Sequence, residues 1–187
     1  VTLAEQPALW LGWSLGGLVT LMLAARHPER VRGLVLVDTT PKFVQGGDWA
    51  HGMASEVFAG FARGLEQDYR ATLLRFLSLQ AGAGDAGRAL IKQLRTELFQ
   101  HGEPQLAALR AGLAILRDTD LRATLAGIHA PTLVLHGSHD RLTPPAAGEF
   151  LAAQIPQARY QLLRGAGHAP FLSDPAAFAA AVEEFAA

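Results

Sequence analysis

The stretch Gly12-Trp13-Ser14-Leu15-Gly16 constrains this chain more than any other because of what flanks it. A short apolar run, Ala8 to Leu11, comes before it and a helical pattern, Leu18 to Arg26, comes after. Gly-x-Ser-x-Gly between a strand and a helix predicts a sharp turn, with Ser14 strained at the corner and its hydroxyl exposed. Glycine is expected at 12 and 16 because a Cβ at either would collide with neighbouring backbone in so tight a turn. The helix N-terminus, and with it the amide of Leu15, would face any negative charge developing on a group bound to Ser14. A plainer reading makes Ser14 an N-cap and Gly16-Gly17 an aid to helix packing. The strand before the motif favours the sharp turn.

Along the chain, Ala8–Trp13 reads as a strand and Leu18–Arg26 as a helix that stops before Pro28, since proline disfavours helix in the residue preceding it. Gly33 to Asp38 is a continuous apolar run of the kind that a fully buried parallel strand shows. Strand, helix, strand over this span is a βαβ unit. From Met53 to Leu116 only helical periodicity remains: Val57, Phe58, Phe61 and Leu65 share one face, and Leu73, Leu74, Phe76, Leu77 and Leu79 form a second stripe. Gly and Ala at 81–87 mark a flexible break, followed by helical stretches Arg88–Gln100 and Pro104–Leu116. The sheet pattern resumes at Ala130–Gly137, then come a helix (Ala146–Gln154), a strand (Arg159–Leu163) and a closing helix from Pro175. The expectation is an α/β core at 1–40 and 122–187 with a helical lid inserted at 41–121.

Composition excludes several alternatives. A net charge of −1 argues against a nucleic-acid binder, which usually needs a clustered basic face. Without cysteine there are neither disulfides nor thiolate-ligated metals. The uncharged stretch Pro7–Ala25 has 19 residues, but the glycines, serine and threonine within it suit a buried strand and helix better than a membrane span. The first residue is Val1, and the strand before Ser14 arrives within ten residues of it, so the chain is expected to be a piece of something longer.

A serine hydroxyl needs a base within hydrogen-bond reach and a group to orient that base. In an open α/β sheet these must come from loops at the C-terminal ends of strands. Two loops qualify: His136-Gly137-Ser138-His139-Asp140-Arg141 and Gly165-Ala166-Gly167-His168-Ala169-Pro170. The chain order Ser14, Asp140, His168 predicts a triad in which Asp140 fixes the imidazole tautomer and His168 takes and returns the serine proton. For Asp140 the alternative is a turn carboxylate capping the next helix through Thr143. His27, His51, His101 and His129 are expected on the surface, whereas His136 and His139 flank the acid loop and one of them could line the site. A metal shared by His136, His139, Asp140 and His168 is disfavoured, because no two of them have a known ligand spacing on a helix.

With these motifs in sequence, together with His27-Pro28-Glu29-Arg30-Val31, the chain resembles the α/β-hydrolases over essentially its whole length. Within them it is similar to the pimeloyl-acyl-carrier-protein methyl ester esterases of biotin synthesis. That similarity rests on Trp10 to Leu18, Arg75-Phe76-Leu77-Ser78-Leu79-Gln80, Gly112 to Leu116 with Asp120-Leu121-Arg122, and Gly167 to Phe171. The segment starting at Arg75 discriminates best, since it lies in the variable lid. The resemblance implies a mostly parallel three-layer fold whose first strands precede this chain, together with the loop that gives a second oxyanion donor. It implies a serine carboxylesterase acting through an acyl-enzyme on a carrier-bound pimeloyl methyl ester; the alternatives are a generic short-chain carboxylesterase or other α/β-hydrolase, and an inactive fragment that lacks the complete oxyanion hole. Ser14, Leu15, Phe76, Leu77, Ser78, Leu79, Gln80 and His168 would contact substrate, and Arg75 and Arg88 the acidic carrier protein. Ala71 stands where a further lid arginine would be expected. No cofactor, metal, nucleic acid or membrane is implied, and the expected setting is a cytoplasmic monomer. An apolar slot in the lid suits the acyl chain, which gains about 0.8 kcal/mol per buried methylene.

Overall fold

The computed structural model describes residues 6–80, 92, 102 and 104–187. Four strands form one parallel sheet in the order β1 (Ala8–Trp13), β2 (Val31–Val37), β3 (Thr132–Gly137) and β4 (Ala158–Leu163). Helix α1 (Leu15–Arg26) links β1 to β2. Between β2 and β3 lie α2 (Ser55–Gln67), α3 (Tyr69–Gln80) and α4 (Leu106–Asp118), and α5 (Pro145–Gln154) links β3 to β4. The chain closes with the short α6 (Pro170–Ser173) and with α7 (Pro175–Ala186). No helix among the described residues is long and apolar enough to cross a membrane.

Side-chain alternation along the central strands generates the layers. Leu34 and Leu36 of β2 and Val134 of β3 face one way, into a core with Leu21 and Ala24 of α1, Leu151 of α5, and Leu125. Val35, Val37, Leu133 and Leu135 face the other way, against Phe178, Ala181, Val182 and Phe185 of α7. Both faces of β2 and β3 are therefore covered, which is why both strands read as unbroken apolar runs. A third, smaller cluster of Phe43, Met53, Phe58 and Leu142, with Leu113 and Leu116 against it, ties the intervening helices to the loop after β3.

Several boundaries differ from the sequence expectation. Helix α1 begins at Leu15, not Leu18, so both glycines of the pair lie inside it. The motif suggests that Gly16 is required for space, yet a Cβ there meets nothing within 4 Å. The close approaches are at Gly12, whose Cβ would overlap Gly16 O and Thr20 Oγ1, and at Gly17, whose Cβ would overlap the Thr39 side chain. Strand β2 starts at Val31. On α2, Phe58 and Leu65 are buried as expected, but Val57 is 59% exposed. The helix expected at Arg88–Gln100 lies, apart from helical Lys92, outside the described residues.

The residues expected to open and close the helical insertion are joined in space. Leu121 N donates to Pro41 O at 2.9 Å, and Lys42 and Asp120 form an antiparallel bridge. Charges reinforce this junction: Lys42 Nζ is 3.2 Å from Asp120, and the Arg122 guanidinium bonds both Asp48 and Asp120 at 2.7 Å while lying over the Trp49 ring. Hydrogen bonds from Arg122 hold the Asp120 carboxyl well below the usual carboxylate range.

Two outcomes follow from this packing. Gly17→Ala forces the start of α1 off Thr39 and is expected to destabilise the protein by about 1–3 kcal/mol, read as a lower melting temperature. Arg122→Ala is expected to lower the melting temperature by a few degrees at pH 7. Because the folded Asp120 pKa is depressed, this contribution is present above the unfolded aspartate range and is lost as pH falls through the folded value. The gap between variant and wild type should therefore narrow below about pH 4.

Candidate active site

Ser14 is the first residue beyond β1 and adopts φ 52°, ψ −119°, a left-handed backbone that a non-glycine residue rarely enters. Such a conformation costs about 1–3 kcal/mol and persists only where its surroundings over-determine it. Three hydrogen bonds do so. Ser14 N donates to Val37 O (3.0 Å), Gly17 N donates to Ser14 O (2.9 Å), and Thr39 Oγ1 donates to Ser14 O (2.7 Å). The sharp strand–helix corner expected from the sequence is thus present, anchored to the end of β2. Leu15, half-buried, sits under α4 beside Gly112.

The loops after β3 and β4 lie backbone to backbone. Ser138 N donates to Leu163 O and His139 N to Ala166 O, while Gly165 N donates to Ser138 Oγ. Gly137 has no room for a Cβ against Gly167 O. This close approach carries Asp140 and His168 to one place: His168 Nδ1 is 2.8 Å from Asp140 Oδ2, with both side chains buried. The carboxylate acceptor selects the tautomer with hydrogen on Nδ1, which leaves Nε2 as a base. Trp13 then bridges to the serine corner, its Nε1 donating to His168 O at 2.6 Å and its ring 5.5 Å from the imidazole. The loop after β4 therefore reaches back across the sheet edge to β1.

Asp140 is saturated with donors. Oδ1 accepts from Leu142 N (2.8 Å) and Thr143 N (3.1 Å), and Oδ2 from Thr143 Oγ1 (2.6 Å) and His168. Burial opposes its charge, but the nearby His136 ring and the hydrogen bonds from His168 and Thr143 prevail and hold the carboxyl well below the usual range. The same carboxylate serves the turn at Thr143, but it does not cap the next helix, whose N-cap is Pro144 without a side-chain hydrogen bond.

Two further groups are buried here, one of them with no role suggested by its sequence context. Asp38, at φ 43° after β2, accepts from Gly137 N through Oδ1 at 2.8 Å. Burial pushes its carboxyl up to about 8. His136, fully buried on β3, lies 3.5 Å from Asp140 Oδ2 and 3.7 Å from Asp38 Oδ1. Of the two histidines flanking the acid loop, His136 is the one beside the site, and His139 is exposed. His27 and His129 are exposed as expected, His51 is half-buried against Trp49, and His101 lies outside the described residues. The ligating atoms of Asp38, His136 and Asp140 come within 4.8 Å of one another. Asp140 Oδ2 and His136 Nε2 already bond Thr143, and Asp38 Oδ1 already bonds Gly137, so the group is built as a hydrogen-bonded network and not as a metal cradle. Asp38 was legible in the sequence only as a carboxylate ending an apolar strand, and the fold alone brings it to Asp140.

Above Leu142, α2 and α3 enclose a cavity of about 310 Å³ whose lining includes Met53, Val57, Phe61, Thr72, Arg75 and Leu142. Arg75 is exposed at this cavity, and Ser78 is exposed with its hydroxyl donating to Leu74 O. Residues 76–80 are helical, but the side chains of Phe76, Leu77, Leu79 and Gln80, and all of Arg88, lie outside the described residues. Their expected roles therefore rest on the sequence.

Comparison with known proteins identifies the family and the fold. The model of the alpha/beta hydrolase fold family matches residues 2–175. A pimeloyl-[acyl-carrier protein] methyl ester esterase of Xanthomonas axonopodis pv. citri is 43% identical over 187 residues, covering all of this chain and 74% of that protein. One of Yersinia enterocolitica is 42% identical over 183 residues, covering 98% of this chain and 70% of that protein. Among solved structures, a hydrolase from Pseudomonas aeruginosa PA01 superposes with TM-score 0.77 at 32% identity, over 96% of this chain and 64% of that one. An esterase from Exiguobacterium antarcticum shares the fold at TM-score 0.84 and 24% identity, over 95% of this chain and 66% of that one. This chain thus spans just under two thirds of the solved structures it matches. It belongs to the α/β-hydrolase fold family and, within it, groups with the pimeloyl-[acyl-carrier protein] methyl ester esterases.

Proposed function

We propose that this protein is a serine carboxylesterase that removes the methyl ester from a pimeloyl group carried on acyl carrier protein, a step of biotin synthesis. The observation that carries the chemistry is the His168–Asp140 hydrogen bond at 2.8 Å, tied through the Trp13 indole to the corner where Ser14 is held at positive φ. The identity of about 42% to the named esterases carries the substrate.

In this reading Ser14 Oγ attacks the ester carbonyl while His168 Nε2 takes its proton. Asp140 stabilises the imidazolium and does not itself become protonated. The Leu15 amide, at the start of α1, faces the oxyanion. Collapse of the tetrahedral intermediate breaks the bond to methoxide, which leaves as methanol with the proton from His168. Water, deprotonated by His168, then attacks the acyl-enzyme and frees the carboxylate and Ser14.

Segment 41–121 acts as the lid, a role supported by the junction of its two ends at Pro41 and Leu121 and by α4 passing over Leu15. The cavity between α2 and α3, largely apolar, suits methylene groups. By the sequence resemblance alone, Phe76 to Gln80 would contact the substrate, and Arg75 with Arg88 would offer charge to the acidic carrier.

The test compares hydrolysis of the carrier-linked methyl ester with that of a short p-nitrophenyl ester. Ser14→Ala and His168→Ala are expected to lower kcat by about 10⁴-fold or more on both. The double substitution Arg75→Ala/Arg88→Ala is expected to raise KM for the carrier-linked ester alone. Turnover of the short ester without the carrier-linked one sinks the substrate assignment and leaves a general esterase.

A further inference from the structure

His136 is a fully buried, ionisable ring that the mechanism above leaves unused, and it touches the acid of the triad. We propose that His136 is a positioning residue for that acid: a buried imidazolium that holds Asp140 toward His168 and, by its charge, sets how strongly His168 draws a proton. This role rests on the catalytic reading of Ser14, His168 and Asp140.

The geometry supplies two routes from His136 to Asp140. The first is mechanical. His136 Nε2 donates to Thr143 O at 2.7 Å, and Thr143 in turn gives the Asp140 carboxylate both its backbone N–H and its hydroxyl. The ring therefore buttresses the residue that supplies two of the four donors to Asp140. On its other side, α5 comes so close that a Cβ on Gly148 would overlap His136 Nδ1, so the ring has nowhere to retreat.

The second route is electrostatic. Nε2 stands between two buried carboxylates, 3.5 Å from Asp140 Oδ2 and 3.7 Å from Asp38 Oδ1. A buried carboxylate without a counter-charge is strongly disfavoured, and here Asp140 keeps its charge while burial pushes Asp38 toward its neutral acid. Among the described residues, His136 Nδ1 and Asp38 Oδ2 have no hydrogen-bond partner, so the ring and the Gly137 amide are what offset charge on Asp38. Burial works against a charged ring, but the surrounding carboxylates outweigh it and raise the His136 pKa above its ordinary value. The remaining ionisable groups around the ring are His168 from the loop after β4, the exposed His139 beside Asp140, Tyr160 of β4 packed with Gly148, and Glu149 of α5. None of these places a second cation against Asp140 except His168 itself, which becomes one only during turnover.

The sign of the effect follows from Coulomb's law. A cation beside Asp140 offsets part of the negative charge that the acid presents to its partner. In His136→Gln that offset is gone while an amide N–H can still reach the Thr143 carbonyl. With the Asp140 charge no longer offset, the acid limb of the kcat/KM profile moves up by about half a unit or more. His136 does not reach the substrate, so KM stays within about twofold while kcat falls at least about tenfold. A role limited to packing leaves the acid limb where it is.

Because a buried substitution can damage folding, nitrogen-15 NMR of the histidine rings provides a second measurement. In wild type and in Ser14→Ala, His136 is expected to keep both ring nitrogens protonated above pH 7. In Asp38→Asn, which keeps the acceptor for Gly137 N but can no longer ionise, the ring is expected to lose that proton at lower pH than in wild type. A singly protonated His136 ring at pH 6, or an acid limb unmoved in a folded His136→Gln, overturns the inference. Esterase activity that survives in Ser14→Ala defeats instead the catalytic reading beneath it, and the ring titration separates the two failures.

Discussion

The Asp140 carboxylate is enclosed almost completely and still carries its charge, because four hydrogen-bond donors from three residues converge on it. Without them, burial would put a proton on the carboxylate, and His168 would lose the acceptor that fixes its tautomer. The donors come from a turn of only a few residues, Leu142 and Thr143, and from the loop after β4. The position of Asp140 therefore depends on two loops lying against each other at the edge of a parallel sheet, and that register is set by the pairing of β3 with β4. Its charge and its place have the same cause.

The serine corner is fixed from the other side of the sheet. Ser14 stays in a disfavoured backbone conformation because Val37 and Thr39, both at the end of β2, bond its amide and carbonyl. Strand β2 in turn is buried on both faces, between α1 and α7, so the strained residue is anchored to the middle of the core. Trp13 spans the remaining gap to the His168 loop by one indole hydrogen bond. Strain at Ser14 and order at His168 are thus supported by different strands and meet only at this edge.

The helices between β2 and β3 have a different character. They pack through a small cluster, Phe43, Met53, Phe58 and Leu142, and are closed at the base by Lys42, Asp48, Asp120 and Arg122. One member, Leu142, lies two residues beyond Asp140, so the apolar floor of the insertion and the hydrogen-bonded acid loop share a turn.

The sequence by itself determined the strand–helix corner at Ser14, the buried strands β2 and β3, the order of serine, acid and histidine, and the family. Each of these is written in local chemistry: glycine where a Cβ cannot stand, apolar runs of strand length, and loops at strand ends. Tertiary structure alone decided which glycine guards the corner, since the need for Gly17 comes from Thr39, twenty-two residues away, and Gly16 has open space. It also decided that His136 and Asp38, ordinary members of apolar strands by periodicity, face each other and Asp140 across the sheet. The physical reason is that a strand's period fixes which face a side chain takes but not what another strand's register will place opposite it.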